Sequence, residues 1–270
     1  MTTSSATQPI GIFDSGIGGL TVTRAIVNHL PSENIIYFGD TTHLPYGDKS
    51  TSAIQAYSIK IADMLLQKQC KLIVIACYSA TSAAYELVKE YVANKAIVMD
   101  VIDPMVHYIH ANHAHHRVGL IGTRQTVNSN VYKKKMNKLN NNIQLTSLAT
   151  NLLASAIEEF GNSKVIDSLL EEYLSHPTLK TLDVLLLACT HYPIIKENIS
   201  RYFQHKINVI DPSDIVAQAI KDRLAKDNLL NPSGIGNKHF YVSDYTESFS
   251  AGTKTFFAED INLEHYPLWD

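Results

Sequence analysis

Cysteine is scarce in this chain, with Cys70, Cys77 and Cys189 the only three in 270 residues. So low and odd a count excludes a disulfide framework and suits a reducing cytosol. Long apolar runs are also missing. None approaches the roughly 20 residues of a membrane-spanning helix, so no membrane partner is expected. The opening MTTSSATQPI has neither a basic leader nor an apolar stretch, so it does not read as a signal peptide. Residues 1–8 read as a loose tail, and the protein as cytoplasmic. Positive charge is not in excess: 23 Lys and Arg against 26 Asp and Glu give a net charge of −3. Nucleic acid would find little to hold. The Lys133-Lys134-Lys135 run with Lys138 reads as the solvated face of a helix.

What is present is alternation. Strand-like runs at 10–13, 34–38, 72–76, 96–101, 118–121, 143–149, 184–188, 207–210 and 240–243 are separated by helical patterns. Helices are expected at 20–30, 52–68, 81–92, 105–114, after Thr126 through Met136, and at 152–160, 165–175, 194–203, 214–225 and 247–257. Asn140-Asn141-Asn142 reads as a turn and 227–237 as a loop. Such alternation indicates α/β layers with mainly parallel sheets. The aliphatic runs LIVIA (72–76) and VLLLA (184–188) fit strands covered on both faces.

The chain also repeats itself. Gly11-Ile12-Phe13-Asp14-Ser15 parallels Gly119-Leu120-Ile121-Gly122-Thr123, an offset of 108 (119 − 11). Val101-Ile102-Asp103-Pro104 recurs as Val209-Ile210-Asp211-Pro212, again at 108 (209 − 101). Cys77 and Cys189 differ by 112 (189 − 77). A duplicated α/β unit follows: two pseudo-symmetric three-layer domains, one of residues 1–100 plus 210–270 and the other of 101–209. Ligands in parallel α/β sheets bind beyond the carboxyl ends of the strands. Both cysteines sit at such ends, so the repeat places two thiols on one interdomain cleft.

A thiol between a strand end and a helix N-terminus meets a positive dipole and free N–H groups, which favour thiolate. Two such thiols on opposite walls suit proton transfer at a carbon acid: one removes a proton, the other returns one to the opposite face. Ser15, Ser79, Thr81, Thr123 and Thr190 add hydroxyls. Backbone N–H groups of the Asp14–Gly19 and Tyr46–Gly47 loops can bind a carboxylate. Asp14 and His191 are titratable neighbours of the two thiols. Cys70 lacks this context and reads as an inert structural thiol. The loop Gly16/Gly18/Gly19 lacks the G-x-G-x-x-G spacing of a dinucleotide fingerprint. The cluster His107, His110, His113, His115 and His116 has no acidic or thiol ligand to complete a metal site, so no metal is expected.

GIFDSGIGGLTV (11–22), YFGDTTHLPYG (37–47), VIACYSATSAA (74–84), LIGTRQTV (120–127), LLLACTHYP (185–193) and VIDPSDIVA (209–217) together resemble the motif set of the glutamate racemases, within the cofactor-independent aspartate/glutamate racemases. The resemblance spans about residues 9 to 250 in order. It implies that Cys77 serves the D-glutamate side and Cys189 the L-glutamate side, assisted by Asp14 and His191. It implies a substrate site lined by Asp14, Ser15, Pro45, Tyr46, Gly47, Tyr78, Ser79, Thr123, Thr190 and His191. One of Glu158 or Glu159 would sit near the second thiol. It implies no cofactor, a homodimer, and D-glutamate for peptidoglycan. Similar proteins usually carry Asn-Thr after the first cysteine, where this chain has Tyr78-Ser79. Serine keeps the hydroxyl, whereas tyrosine replaces a compact amide with a bulky phenol. That leaves open a racemase for another acidic amino acid such as aspartate, or a catalytically silent binding relative. A Cys-Pro pair common in the family is absent around Thr150-Asn151, a packing change.

Overall fold

The computed structural model describes residues 5–139, 143–161 and 163–270. The turn expected at Asn140-Asn141-Asn142 lies outside the described residues, as do residues 1–4 of the expected tail. From Ser5 onward the tail is not loose: Asn34 Nδ2 donates to Thr7 O at 2.8 Å, and Lys71 Nζ donates to Ala6 O.

Among the described residues, ten strands form two sheets. The first half of the chain supplies β1 (Ile10–Asp14), α1 (Leu20–His29), β2 (Ile35–Gly39), α2 (Thr51–Gln67), β3 (Leu72–Ile75), α3 (Tyr78–Val92) and β4 (Ile97–Asp100). Helix α4 (Asp103–His113) leads to β5 (Arg117–Gly122), α5 (Arg124–Asn128), α6 (Val131–Lys138), β6 (Gln144–Ala149), α7 (Leu153–Phe160), α8 (Lys164–Leu174), β7 (Val184–Ala188), α9 (Lys196–Tyr202) and β8 (Asn208–Ile210). The chain then returns through α10 (Ser213–Lys226) to β9 (Lys238–Val242), α11 (Glu247–Phe257) and β10 (Leu263–His265). The sheet orders are β10-β9-β2-β1-β3-β4 and β6-β5-β7-β8, parallel at every pairing.

The order β2-β1-β3-β4 is that of β6-β5-β7-β8, so the duplication is visible in the fold. Gly11 pairs with Ile73 as Gly119 pairs with Leu185. Cys77 follows Ile73, and Cys189 follows Leu185, by the same four residues, so the thiols occupy equivalent places. The matching Val-Ile-Asp-Pro segments do not. Ile73 faces Val98 whereas Leu185 faces Val209, an offset of 111 (209 − 98). Asp100, not Asp103, is thus the counterpart of Asp211. Asp100 Oδ1 accepts from the N–H of Ile102 at 2.6 Å and of Asp103 at 2.8 Å, and Asp211 Oδ1 from Ser213 N at 2.9 Å. The repeated tetrapeptide is three residues out of step.

Three local expectations also change. Helix α3 begins at Tyr78 rather than Thr81, because Cys77 Sγ caps it by accepting from Ala80 N at 3.4 Å. The single helix expected through Met136 breaks between α5 and α6, where Asn130 takes the left-handed conformation at φ 55°. Strand β10 went unforeseen, since three residues of Leu-Glu-His carry no period; β9 supplies its ladder.

The central strands β1, β2 and β3 of the first sheet are covered on both sides. Phe13, Phe38, Ile73 and Ile75 pack in one core with Cys70 and Cys77, while Ile12, Tyr37 and Val74 belong to a second core shared with the β5–β8 sheet. Tyr78 and Cys189 lie in that second core. No helix among the described residues is long and apolar enough to cross a membrane.

Candidate active site

Strands β1, β3, β5 and β7 deliver Asp14, Cys77, Thr123 and Cys189 at or just past their carboxyl ends. The elements from the two sheets meet here. Ser79 Oγ lies 2.8 Å from Thr123 Oγ1, and Thr21 Oγ1 donates to Thr190 O at 2.8 Å. Gly18 lies so close to the opposite wall that a Cβ there would come within 2.4 Å of His191 Cε1 and 2.6 Å of Thr190 Oγ1. Glycine is needed for this approach, not for a turn.

Cys77 is 5% exposed. The expected lowering by the helix N-terminus is overridden: burial, reinforced by the Asp14 carboxylate, pushes this thiol up to about 12 against the pull of Ala80 N–H and the Ser15 hydroxyl. So raised, Cys77 keeps its proton at neutral pH, the form of a proton donor. Asp14 is fully buried, and burial raises its carboxyl, opposed first by His191. Its Oδ2 accepts from the N–H of Gly16 at 3.2 Å and of Gly19 at 2.9 Å. Those two loop donors, expected to hold a substrate carboxylate, are thus taken by Asp14. Its Oδ1 has no partner among the described residues.

Cys189 has a different neighbour. Its Sγ stands 3.8 Å from His191 Nδ1, and His191 Nε2 is 2.9 Å from Glu158 Oε2. Of the two glutamates singled out, Glu158 makes the contact. Burial works against a charged ring, but hydrogen bonds to Cys189 and Glu158 outweigh it and hold His191 well above the ordinary imidazole range. A folded-state value above the unfolded one near 6.5 adds stability below that pH and loses it as pH rises through the folded value. Replacing Glu158 by Gln removes the carboxylate that favours imidazolium. The alkaline limb of the kcat/KM profile is therefore expected to move to lower pH in the Glu158→Gln protein. A limb that stays in place would remove Glu158 from this relay.

The remaining expected residues separate into those that reach the cleft and those that do not. Ser15, Pro45, Glu158, Glu159 and His191 line a cavity of about 340 Å³, with Leu44, Ala154, Ser155 and Phe249 also on its walls. Gly47 abuts Thr123, its missing Cβ 3.0 Å from that of Thr123. Tyr46 turns its hydroxyl away to Asp40 Oδ2 at 2.6 Å, leaving only its backbone for the cleft. Thr81 Oγ1 donates to Ile75 O, a structural bond. Tyr78 is 3% exposed, and burial, with charges on Tyr132, Asp211 and Cys189, raises its phenol well above 10. It sits inside the core beside the second thiol rather than on the surface. Thr150 bonds Tyr192, in keeping with a packing role. Cys70 is buried and also pushed up to about 12 by burial.

Sequence reading missed Thr21, Tyr37 (its hydroxyl donates to Gly16 O at 2.6 Å) and the apolar wall of Leu44, Ala154 and Phe249. Thr21 and Tyr37 lie within elements whose pattern is apolar, and only their distant partners distinguish them. A larger cavity of about 800 Å³ lies between α4, α10 and β4, lined in part by His29, Met99, His107 and Ile215. It contains none of Ser15, Glu158 and His191, which line the smaller cavity, so the chemistry belongs to the smaller one. Among the described residues no group of three or more His, Cys, Asp or Glu is placed to hold a metal ion; His113 Nδ1 lies 3.0 Å from His116 Nδ1.

The family model for Asp/Glu/hydantoin racemases matches residues 10–220. Glutamate racemase 3 of Caldanaerobacter subterraneus subsp. tengcongensis is 36% identical over 264 residues, 97% of this chain and 95% of that one. Glutamate racemase of Chlorobaculum parvum is 37% identical over 259 residues, 95% of each chain. Among solved structures, glutamate racemase from Francisella tularensis in complex with D-glutamate superposes with a TM-score of 0.91 at 36% identity, covering 98% of this chain and 99% of that one.

Proposed function

The chain belongs to the Asp/Glu/hydantoin racemase family, and from that footing we propose that it interconverts L- and D-glutamate by two-base proton transfer at Cα between Cys77 and Cys189, without a cofactor. The observation that carries this reading is the pair of thiols at equivalent strand ends, each with its own charged neighbour: Asp14 for Cys77 and the His191–Glu158 pair for Cys189.

From L-glutamate, Cys189 takes the Cα proton: the C–H bond breaks and an S–H bond forms. The carbanion is then protonated from the opposite face by Cys77, whose raised thiol holds a proton at neutral pH. His191 exchanges a proton with Cys189, and Asp14 exchanges one with Cys77, to restore the starting state. From D-glutamate the roles reverse. Ser15, Ser79, Thr123, Thr190 and the backbone of Pro45, Tyr46 and Gly47 hold the substrate, and Tyr78 closes the wall behind it. The same reading takes residues 1–100 with 210–270 and residues 101–209 as the two domains, and the enzyme as a cytoplasmic homodimer supplying D-glutamate for peptidoglycan.

The test is L-glutamate in deuterated water without pyridoxal phosphate. Circular dichroism should decay to zero as deuterium enters Cα. No exchange from either enantiomer overturns the reading. The bulk of Tyr78 favours running aspartate in parallel. Faster turnover of aspartate would reassign the substrate, and binding without turnover would make the protein a silent relative.

A further inference from the structure

The wall formed by Pro45 to Gly47 is not self-supporting. Behind it lies Asp40, fully buried, whose backbone N–H donates to Asp14 O at 3.0 Å. Four side chains converge on the Asp40 carboxylate. Tyr46 OH donates to Oδ2 at 2.6 Å, Ser243 Oγ to Oδ1 at 2.9 Å and Trp269 Nε1 to Oδ1 at 2.7 Å, while His43 Nδ1 lies 3.0 Å from both oxygens. His43 stacks on Tyr57 at 4.0 Å and takes the Trp269 ring edge-on at 4.5 Å. Trp269 is the only tryptophan in the chain. It stands on a short segment after β10, whose Tyr266 N–H donates to Val242 O at 2.9 Å.

Two segments more than 200 residues apart thus share one buried carboxylate, and one of them forms the cleft wall. The bonds to a charged acceptor are the strong kind. Removing the Trp269 donor leaves Asp40 with one fewer partner in a dry site, and the others must shift to cover it.

We propose that Trp269 is a positioning residue: through Asp40 it latches Tyr46 and so fixes the Pro45–Gly47 wall against which substrate binds. The kinetic half of this rests on the racemase reading above; the structural half does not.

The experiment compares the wild-type enzyme with Trp269→Ala, with Trp269→Phe, and with the chain ended after Pro267. Hydrogen–deuterium exchange is measured without substrate, and KM and kcat for both glutamate enantiomers. In Trp269→Ala and the truncation, exchange of residues 41–50 is expected to rise about tenfold while β5 to β8 keep their protection. KM is expected to rise about tenfold with kcat within roughly twofold. Trp269→Phe keeps the ring contacts with His43 and loses only the donor, so it should recover part of the KM loss. Unchanged exchange at 41–50 overturns the latch. So does a rise spread evenly over the first sheet, which would mark general destabilisation, or a KM that stays put when 41–50 loosens in an active enzyme. If the wild type shows no turnover, the substrate reading fails instead, and the exchange data alone decide the latch.

Discussion

Cys77→Ser and Cys189→Ser are each expected to lower racemisation by about 10²–10⁴-fold, the usual weight of a positioned acid–base group. The loss should fall on kcat. A serine hydroxyl fits either site, so binding is spared, but it holds its proton far more tightly than a thiol and is a poor base. The two variants should differ in a diagnostic way. With Cys77 replaced, Cys189 can still take the proton of L-glutamate, exchange it with solvent through His191, and return deuterium to the same face. That protein should wash deuterium into L-glutamate faster than it racemises it. Cys189→Ser should do the same for D-glutamate. Proton loss by NMR set against decay of circular dichroism separates the two rates. A single variant racemising near the wild-type rate would end the two-thiol mechanism.

The second large effect is on stability. Lys71 is fully buried, its Nζ 2.6 Å from Glu33 Oε2 and 2.8 Å from Leu229 O, while Glu33 Oε1 accepts from Asn231 N at 2.7 Å. This knot ties the start of β3 to the loop before β2 and to the segment entering β9. Lys71→Met leaves the Glu33 charge buried without its counterion. Breaking a buried pair from one side costs about 3–5 kcal/mol. At about 2–4 °C per kcal/mol for a chain of this size, the melting temperature should fall by roughly 6–20 °C. Adding Glu33→Gln should recover part of this, because an uncharged amide still accepts from Asn231. Calorimetry on the single and double variants checks it. A single variant melting within about 2 °C of the wild type would show that the charge finds another partner.

The frame of this fold is legible because its central strands, such as β3 and β7, are short aliphatic runs with one environment on both faces. The run Val184 to Ala188 coincides with β7, and the alternation alone gave the parallel layers. The thiol pair was legible because duplication put the two in equivalent places, and the strand register now explains their offset of 112 against 108 elsewhere. Other features depend on contacts that no local pattern carries. Lys71 opens a strand as any solvated lysine might, and only Glu33, 38 positions away, makes it a core residue. The proton affinity of Cys77 goes the other way from the helix-dipole argument, because Cys77 lies in a buried core that also holds Tyr46, Ile75 and Ala80. The loop N–H groups are donors, but the sequence does not show that two of them serve the Asp14 carboxylate of the same loop. Even identical tetrapeptides misled, because identity at an offset does not fix register.

The β5–β8 sheet is made from one uninterrupted stretch of chain, whereas β2 is flanked by β1 on one side and by β9, about 200 residues later, on the other. During synthesis the second sheet can therefore close on the ribosome while Ile35 to Gly39 still offers a bare ladder of amides and carbonyls. An unpaired strand edge of Ile-Ile-Tyr-Phe is a template for association with other nascent chains. Chaperone demand should thus peak between the emergence of β2 and of residues 238–242, and a message cut short in that window would yield a protein with its most adhesive strand uncovered.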